Sequence, residues 1–378
     1  MWVPLHRRPS FAFNRKRRRV EQQPQEVSPF LDEPVTDHLK EENVEINGLE
    51  IGHSSMQGYR VSMEDEHIID RIESVPDHTI VAVMDGHAGA FSAIFTSREL
   101  KNILEQTEKW KEYALLKPKE RDDSLELISQ ALVETYVEID KCLLDLDKNG
   151  LMDQSGCTCV CAVITPTHVI CANVGDSRAV VGSTTTGATV SLTEDHKPNL
   201  PEEKARIEKG GGFVAMDRVN GELAMSRALG DFRYKRNQDL QAHEFPVICY
   251  PDVAVHRRSG KKDEVLVLAC DGVFDVMSNS EVTDYICEVV LKDENSTPST
   301  EVNVQINSKN GSDKNGNNSN KNSGNNKKNG SKNGSVNGQK EPVALSTVTA
   351  QEAAGSLIDL ALAEESTDNI SAVIVKFL

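Results

Sequence analysis

The sequence predicts an α+β fold in which β-sheets pack together and helices lie outside them. Short apolar runs rich in β-branched and small residues recur and read as buried strands, at 80–84, 264–270 and Ile370–Phe377. Two segments, Phe91–Gln106 and about 125–146, carry apolar residues at helical spacing. Strands come in groups with the paired long helices between them, not in strict β-α alternation, which favours packed sheets.

In chain order, residues 1–43 read as a disordered basic and polar extension, with Arg15-Lys16-Arg17-Arg18-Arg19 ahead of a Gln/Pro/Glu-rich run. The basic run matches a nuclear address, but a solvated disordered tail is the safer reading. Ser10, after Arg7-Arg8-Pro9, resembles a site for kinases that read upstream arginines. From Val44 the pattern turns globular and continues to residue 378. Residues 49–54 and 66–72 read as strands around a loop at 57–65, followed by the buried strand at 80–84 and the two helices. Cys157, Cys159 and Cys161 alternate within a strand at 157–164, so all three point to one sheet face. No matching Cys/His cluster supports a metal there, and small buried core residues are the better account.

Strands at 169–174 and 178–182 follow, with turn signals at Thr165-Pro166 and Gly175-Asp176. Pro201–Lys209 reads as a short charged helix closed by Gly210-Gly211-Gly212. Residues 221–234 read as a loop or short helix, and a further helix starts near Asn279, with Ser278 or Asn279 as its cap. Residues 302–340 are dominated by Asn, Gly, Lys and Ser and have little apolar surface to offset ordering entropy, so about 293–348 reads as a disordered insertion. A helix resumes near Ala350 before the last strand. Tail and insertion apart, roughly 280 residues remain, the size of one large domain.

Composition narrows the function classes. No apolar run approaches the roughly 20 residues of a membrane span, and the start of the sequence shows neither a long apolar leader nor a glycine at position 2, which is Trp2. The 8 cysteines read as reduced thiols. Cytosol or nucleus is the expected location, with no membrane association. Residues 1–20 hold seven Lys/Arg and no acid, which leaves −24 for the rest of a chain of net charge −17. Such an acidic body argues against nucleic-acid binding and suits sites that collect metal cations.

The chemistry-bearing residues sit at strand ends. Asp85 and Asp271 follow apolar strands, and each precedes a glycine; Asp368 comes just before Ile370–Phe377. Hard divalent cations take oxygen ligands, and two such ions can activate water and clamp a phosphoryl group. Gly86 allows close backbone approach, so a bare carbonyl can be a ligand. Glu64-Asp65 adds two acids in the adjacent loop, Arg60 offers a guanidinium that matches phosphate oxygens, and His87 could supply a proton to a leaving group. Asp176, in Val174-Gly175-Asp176-Ser177-Arg178, fits a hairpin turn equally well.

At these residues the sequence resembles the metal-dependent protein serine/threonine phosphatases of type 2C. The resemblance covers about 48–292 and 350–378. It is carried in order by Gly58-Tyr59-Arg60-Val61-Ser62-Met63-Glu64-Asp65, Met84-Asp85-Gly86-His87-Ala88-Gly89, Asp153-Gln154-Ser155-Gly156-Cys157-Thr158 and Asn173-Val174-Gly175-Asp176-Ser177-Arg178. Asp195-His196-Lys197-Pro198, the segment from Arg218 through Leu223-Ala224-Met225-Ser226-Arg227-Ala228-Leu229-Gly230-Asp231, Ala269-Cys270-Asp271-Gly272 and Ser366-Thr367-Asp368-Asn369 complete it.

The resemblance implies a β-sandwich of two antiparallel sheets flanked by paired α-helices, with two Mg²⁺ or Mn²⁺ ions at one end. Asp85 would bridge both ions, Gly86 would give its carbonyl, and Asp271 and Asp368 would bind the second ion. Glu64 would hold metal-bound water, Asp65 would support that arrangement, Arg60 would grip the phosphate and His87 would act as the acid. In some members a third, weaker ion uses the positions of Asp176 and Asp271. About 195–245 would form a flap beside the active site that helps choose substrates. The Asn/Lys-rich insertion has no counterpart in the family pattern, and the flap lacks the tryptophan of the plant hormone co-receptor branch.

The expected activity is hydrolysis of phosphoserine and phosphothreonine in phosphorylated protein substrates by attack of a metal-bridging water, in a monomer. The alternative is a catalytically silent pseudophosphatase that binds phosphoproteins, which loss of a metal-binding Asp or of the phosphate-gripping Arg would mark; neither is lost. A metal-dependent nuclease is disfavoured by the acidic body.

Overall fold

Alternating side chains build two antiparallel sheets that bury a face against each other and the opposite face against helices. The computed structural model describes residues 28, 30–260, 264–291 and 348–378. The chain begins with strands β1 (Phe30–Val35), β2 (Leu39–Ile46), β3 (Leu49–Met56), β4 (Gly58–Arg60), β5 (Glu66–Arg71), β6 (Thr79–Met84) and β7 (Gly86–His87). Helices α1 (Phe91–Gln106), α2 (Glu108–Ala114), α3 (Pro118–Arg121) and α4 (Leu125–Lys148) follow. Next come β8 (Gly156–Cys157), β9 (Cys159–Ile164), β10 (His168–Val174), β11 (Arg178–Ser183) and β12 (Thr189–Ser191), then α5 (Pro201–Lys209). Short strands β13 (Val214–Ala215), β14 (Arg218–Val219) and β15 (Leu229–Gly230) lead to β16 (Asp252–Arg257) and β17 (Glu264–Ala269). The last elements are α6 (Asp271–Phe274), α7 (Asn279–Leu291), α8 (Ala350–Ala363) and β18 (Ile370–Phe377).

One sheet has six strands in the order β12-β11-β17-β18-β3-β2, and the other five in the order β16-β10-β9-β6-β5. Every pairing within them is antiparallel, and β18 lies between β17 and β3, with Ile370 opposite Met56 and Phe377 opposite Leu49. Its fully buried pattern follows: Val373, Val375 and Phe377 face the core between the sheets, while Ile370, Ala372 and Ile374 face the core under α7 and α8. On the other side, Cys157, Cys159 and Cys161 share the core under α1, α2 and α4, in agreement with their alternation. All are free thiols, and the Tyr136 hydroxyl of α4 reaches into that layer to donate to the carbonyl oxygens of Cys159 and Ala172, at 3.2 and 3.1 Å. The result is a helix-sheet-sheet-helix stack, as expected for packed layers.

The boundary at residue 43 needs correction. The chain is already β-strand from Phe30: β1 pairs with β4, and β2 pairs with β3. The run of Lys40, Glu41, Glu42 and Glu45 hides the half-buried Leu39, Val44 and Ile46 that fix β2 on the sheet. Residues 1–27, with the basic run and Ser10, lie outside the described residues, as does the segment between Leu291 and Val348 where the insertion is expected. Helices α7, to Leu291, and α8, from Ala350, lie on either side of it. Ser278 caps α7, accepting from Glu281 N–H at 3.3 Å while the Glu281 carboxylate accepts from Ser278 N–H at 2.8 Å.

Residues around α5 and the β13–β14 hairpin form a small body with its own core of Ile207, Val219, Leu223, Met225, Ala228, Tyr234 and Val247. Residues 221–234 contain β15 and one 3₁₀ turn at Phe232–Tyr234, which matches the irregular reading.

Candidate active site

Three strand ends deliver the carboxylates. Asp85 follows β6, Asp271 follows β17 and Asp368 precedes β18. Since β6 belongs to one sheet and β17 and β18 to the other, the acids meet where the two sheets end side by side. They line one cleft of about 480 Å³ together with Arg60, Glu64, Gly86, His87 and Asp176. Asp65 lies beneath, 2% exposed. Asp176 does not sit in a hairpin turn: β10 and β11 belong to different sheets, so it lies on the crossover between them.

The backbone frame is tightly specified. Asp85 N–H donates to the Thr158 hydroxyl at 3.1 Å, and the Asp85 carbonyl accepts from Thr158 N–H at 2.9 Å. A Cβ on Gly86 would lie 2.5 Å from the Glu64 carbonyl oxygen, so only glycine lets the two segments approach this closely. The Glu64 carboxylate accepts from the Ser62 hydroxyl at 2.7 Å and from Gly89 N–H at 3.1 Å. Asn369 pins the 57–65 loop: its amide donates to the carbonyls of Gln57 and Ser62 at 2.8 and 2.9 Å and its oxygen accepts from Glu64 N–H at 2.9 Å.

Crowding of like charge in a desolvated site raises carboxylate pKa values. Burial, reinforced by Asp271, Asp65 and Asp368, holds Asp85 well above the usual range. Burial and the nearby Asp176 and Asp368 do the same to Asp271. Burial pushes Asp65 up to about 7, although the Ser371 hydroxyl donates to it at 2.7 Å. Positive groups of the chain meet two of the acids. Arg60 pairs with Asp368 at 2.5 Å and stacks its guanidinium 5.4 Å from the Phe30 ring of β1. Lys197 pairs with Asp176 at 2.5 Å.

His87 Nε2 is 2.6 Å from an Asp231 carboxylate oxygen, and Asp231 is 1% exposed. Burial draws the imidazole pKa down, but the Asp231 charge and hydrogen bond outweigh it and hold His87 above its ordinary value. Nδ1 has no partner. The sequence places Asp231, Asn369 and Lys197 within motifs without indicating a role for them. The available signal for Asp231 was the pair Gly230-Asp231, whose turn character follows from φ of 76° and 53°.

Among the described residues, no group of three or more His, Cys, Asp or Glu side chains forms a ready cation cage. The donor chemistry nevertheless fits hard divalent cations. The site offers oxygen donors, and Asp65, Asp176 and Asp271 each leave one buried carboxylate oxygen without a partner among the described residues. An ion that keeps several of its waters needs only a few direct carboxylates.

The family model described as Protein phosphatase 2C matches residues 49–314. "Protein phosphatase ppm-1.A" of Caenorhabditis elegans is 40% identical over 275 residues, covering 71% of this chain and 57% of that protein. "Protein phosphatase 1B" of Rattus norvegicus is 40% identical over 269 residues, covering 69% and 66% respectively. The chain thus spans between about half and two thirds of the length of these relatives. In fold, it is similar to the crystal structure of serine-threonine phosphatase 2C from Toxoplasma gondii, with a TM-score of 0.65 at 22% identity over 91% of this chain and 100% of that one. The sequence match ends at residue 314, yet Asp368 and β18 beyond it complete the six-stranded sheet and the cleft.

Proposed function

Because the chain belongs to the protein phosphatase 2C family, whose members are metal-dependent serine/threonine phosphatases, we infer that this cleft hydrolyses phosphoserine and phosphothreonine in phosphorylated protein substrates. The observation that carries the reading is the convergence of Asp85, Asp271 and Asp368 from two sheets on one cleft that also holds Arg60 and His87. Asp85, Asp271, Asp368 and the Gly86 carbonyl would hold Mg²⁺ or Mn²⁺; Glu64 and Asp65 would support the waters of such ions, and Asp176 with Asp271 would offer a weaker further site. When bound, the ions supply Lewis acidity for the phosphoryl oxygens and a nucleophilic water.

The chain's own residues do the rest. Arg60 leaves Asp368 for the substrate phosphate, whose oxygens match the guanidinium fork. Its β1–β4 ladder and the Phe30 ring limit where the guanidinium can go. His87 donates a proton to the departing serine or threonine oxygen. Asp231 occupies Nε2 and keeps the ring protonated to higher pH. Arg218, Leu223, Met225 and Arg233 form the flap side of the cleft, where the peptide flanking the phosphorylated residue would lie. No acid or arginine of the set is missing, which favours turnover over silent binding.

The test is turnover of a phosphothreonine peptide with Mg²⁺ or Mn²⁺, with and without chelator, for wild type and His87→Ala. A serine or threonine alkoxide needs a proton as it leaves, whereas nitrophenolate does not, and a general acid contributes roughly 10²–10⁴-fold where it is needed. His87→Ala should therefore slow the phosphopeptide far more than nitrophenyl phosphate. Turnover that survives the chelator, or no turnover with either metal, refutes the activity; equal slowing of both substrates refutes the role of His87.

A further inference from the structure

We propose that Asp140 and Lys235, a buried ion pair outside the cleft, position His87 by fixing the turn that carries its partner Asp231. The proposal rests on the reading of His87 as proton donor. Asp140 lies on α4, and Lys235 closes the 3₁₀ turn Phe232–Tyr234. The Lys235 ammonium is 2.6 Å from Asp140 Oδ1, with the two side chains 3% and 13% exposed. It also donates to the Ala228 carbonyl at 3.0 Å. The same Asp140 oxygen accepts from Gly230 N–H at 2.9 Å. One carboxylate on a long helix therefore ties down residues 228, 230 and 235, which bracket Asp231 on both sides.

The turn needs such bracing. Gly230 and Asp231 both lie in the left-handed region, at φ of 76° and 53°, which disfavours a non-glycine residue and persists only when the surroundings over-determine it. Asp231 N–H donates to the Ser155 carbonyl at 3.2 Å, and its own carbonyl accepts from Tyr234 N–H at 3.0 Å. Those two bonds fix the Asp231 backbone; the ion pair fixes the turn against α4. Apolar side chains could fill the same buried space without desolvating two charges. What they could not supply is a carboxylate that holds an ammonium and a backbone N–H at once. Asp140 and Lys235 touch neither His87 nor the cleft, so they act through Asp231 as positioning residues.

The test is the double variant Asp140→Asn/Lys235→Met. It removes both charges together, leaving no lone buried ion, and the asparagine oxygen can still accept from Gly230 N–H. A misplacement near 1 Å can cost on the order of 10²-fold, so kcat on a phosphothreonine peptide should fall about 10–100-fold with KM little changed. The loss on nitrophenyl phosphate should be at least about tenfold smaller, because that leaving group needs no proton. Adding His87→Ala to the double variant should then cost the phosphopeptide reaction little more. Equal losses on both substrates, no loss at all, or full additivity with His87→Ala would overturn the proposal. If the double variant does not fold, Asp140→Asn alone is judged by the same split. His87→Ala in the wild-type background separates the two readings. If it slows both substrates equally, the role of His87 fails and the proposal fails with it; if it splits them and the pair variant does not, only the proposal fails.

Discussion

Replacing Glu203 with Gln is expected to cost the fold about 3 kcal/mol at pH 7. Glu203 sits on α5 with its side chain 4% exposed, 2.7 Å from Arg206 and 2.8 Å from Arg227, and it also accepts from the Ser226 hydroxyl. Burial alone would push its carboxyl up, but the hydrogen bonds and charges of Arg206 and Arg227 outweigh that and hold it down at about 2, against an ordinary 4.5. At 1.36 kcal/mol per pH unit, the difference amounts to about 3 kcal/mol. The sign follows from linkage: a depressed carboxyl contributes stability that is present above about pH 4.5 and is lost as pH falls towards 2. Glutamine keeps the volume but leaves Arg206 and Arg227, 14% and 15% exposed, without this counter-charge. Urea unfolding of both proteins at pH 7, 5 and 3 measures the gap. It should be full at pH 7 and fall to less than about half by pH 3. A gap below about 1 kcal/mol at pH 7, or one as large at pH 3 as at pH 7, would refute the assignment of Glu203 as the charge that holds the flap together.

Asp271→Asn keeps the shape of a cleft carboxylate but removes its charge; bound Mn²⁺ and turnover should both collapse while the circular dichroism spectrum stays the same, and near wild-type turnover with stoichiometric metal would sink the assignment. Gly272→Ala would place a Cβ 2.1 Å from the Asn369 carbonyl oxygen, so the residue that pins the 57–65 loop must shift. A stability loss of about 1–3 kcal/mol is expected by denaturation, and an unchanged midpoint would show that this contact yields without cost.

Buried strands and long helices were legible because their patterns are strong: 80–84, 264–270, Ile370–Phe377 and both long helices read directly from apolar periodicity. The residues Asp85, Asp271 and Asp368 were legible for the same reason, since each abuts such a strand. What the sequence concealed were elements defined by their neighbours. Strand β2 alternates charge with a few half-buried apolar residues and is fixed by β3. Helix α2 is short, and its Trp110 and Tyr113 gain meaning only from the core they complete. Asp176 looked like a hairpin turn because local sequence cannot reveal that its two flanking strands belong to different sheets. Asp231 is 144 positions from His87, and no local pattern signals a hydrogen bond across that span. The expected Asn/Lys-rich insertion lies outside the described residues.

The central position of β18 has a consequence for how the molecule is made. Its neighbours β3 and β17 leave the ribosome earlier, and Ile370 comes 101 positions after Ala269. At about 5–20 residues per second, roughly 5–20 s separate the two during synthesis. Through that interval β3 and β17 present open edges with unpaired backbone groups, the kind of surface on which chains pair wrongly with one another. The strand that closes this gap follows directly on Asp368, so a nascent chain acquires its last cleft carboxylate and the protection of its central sheet in a single step.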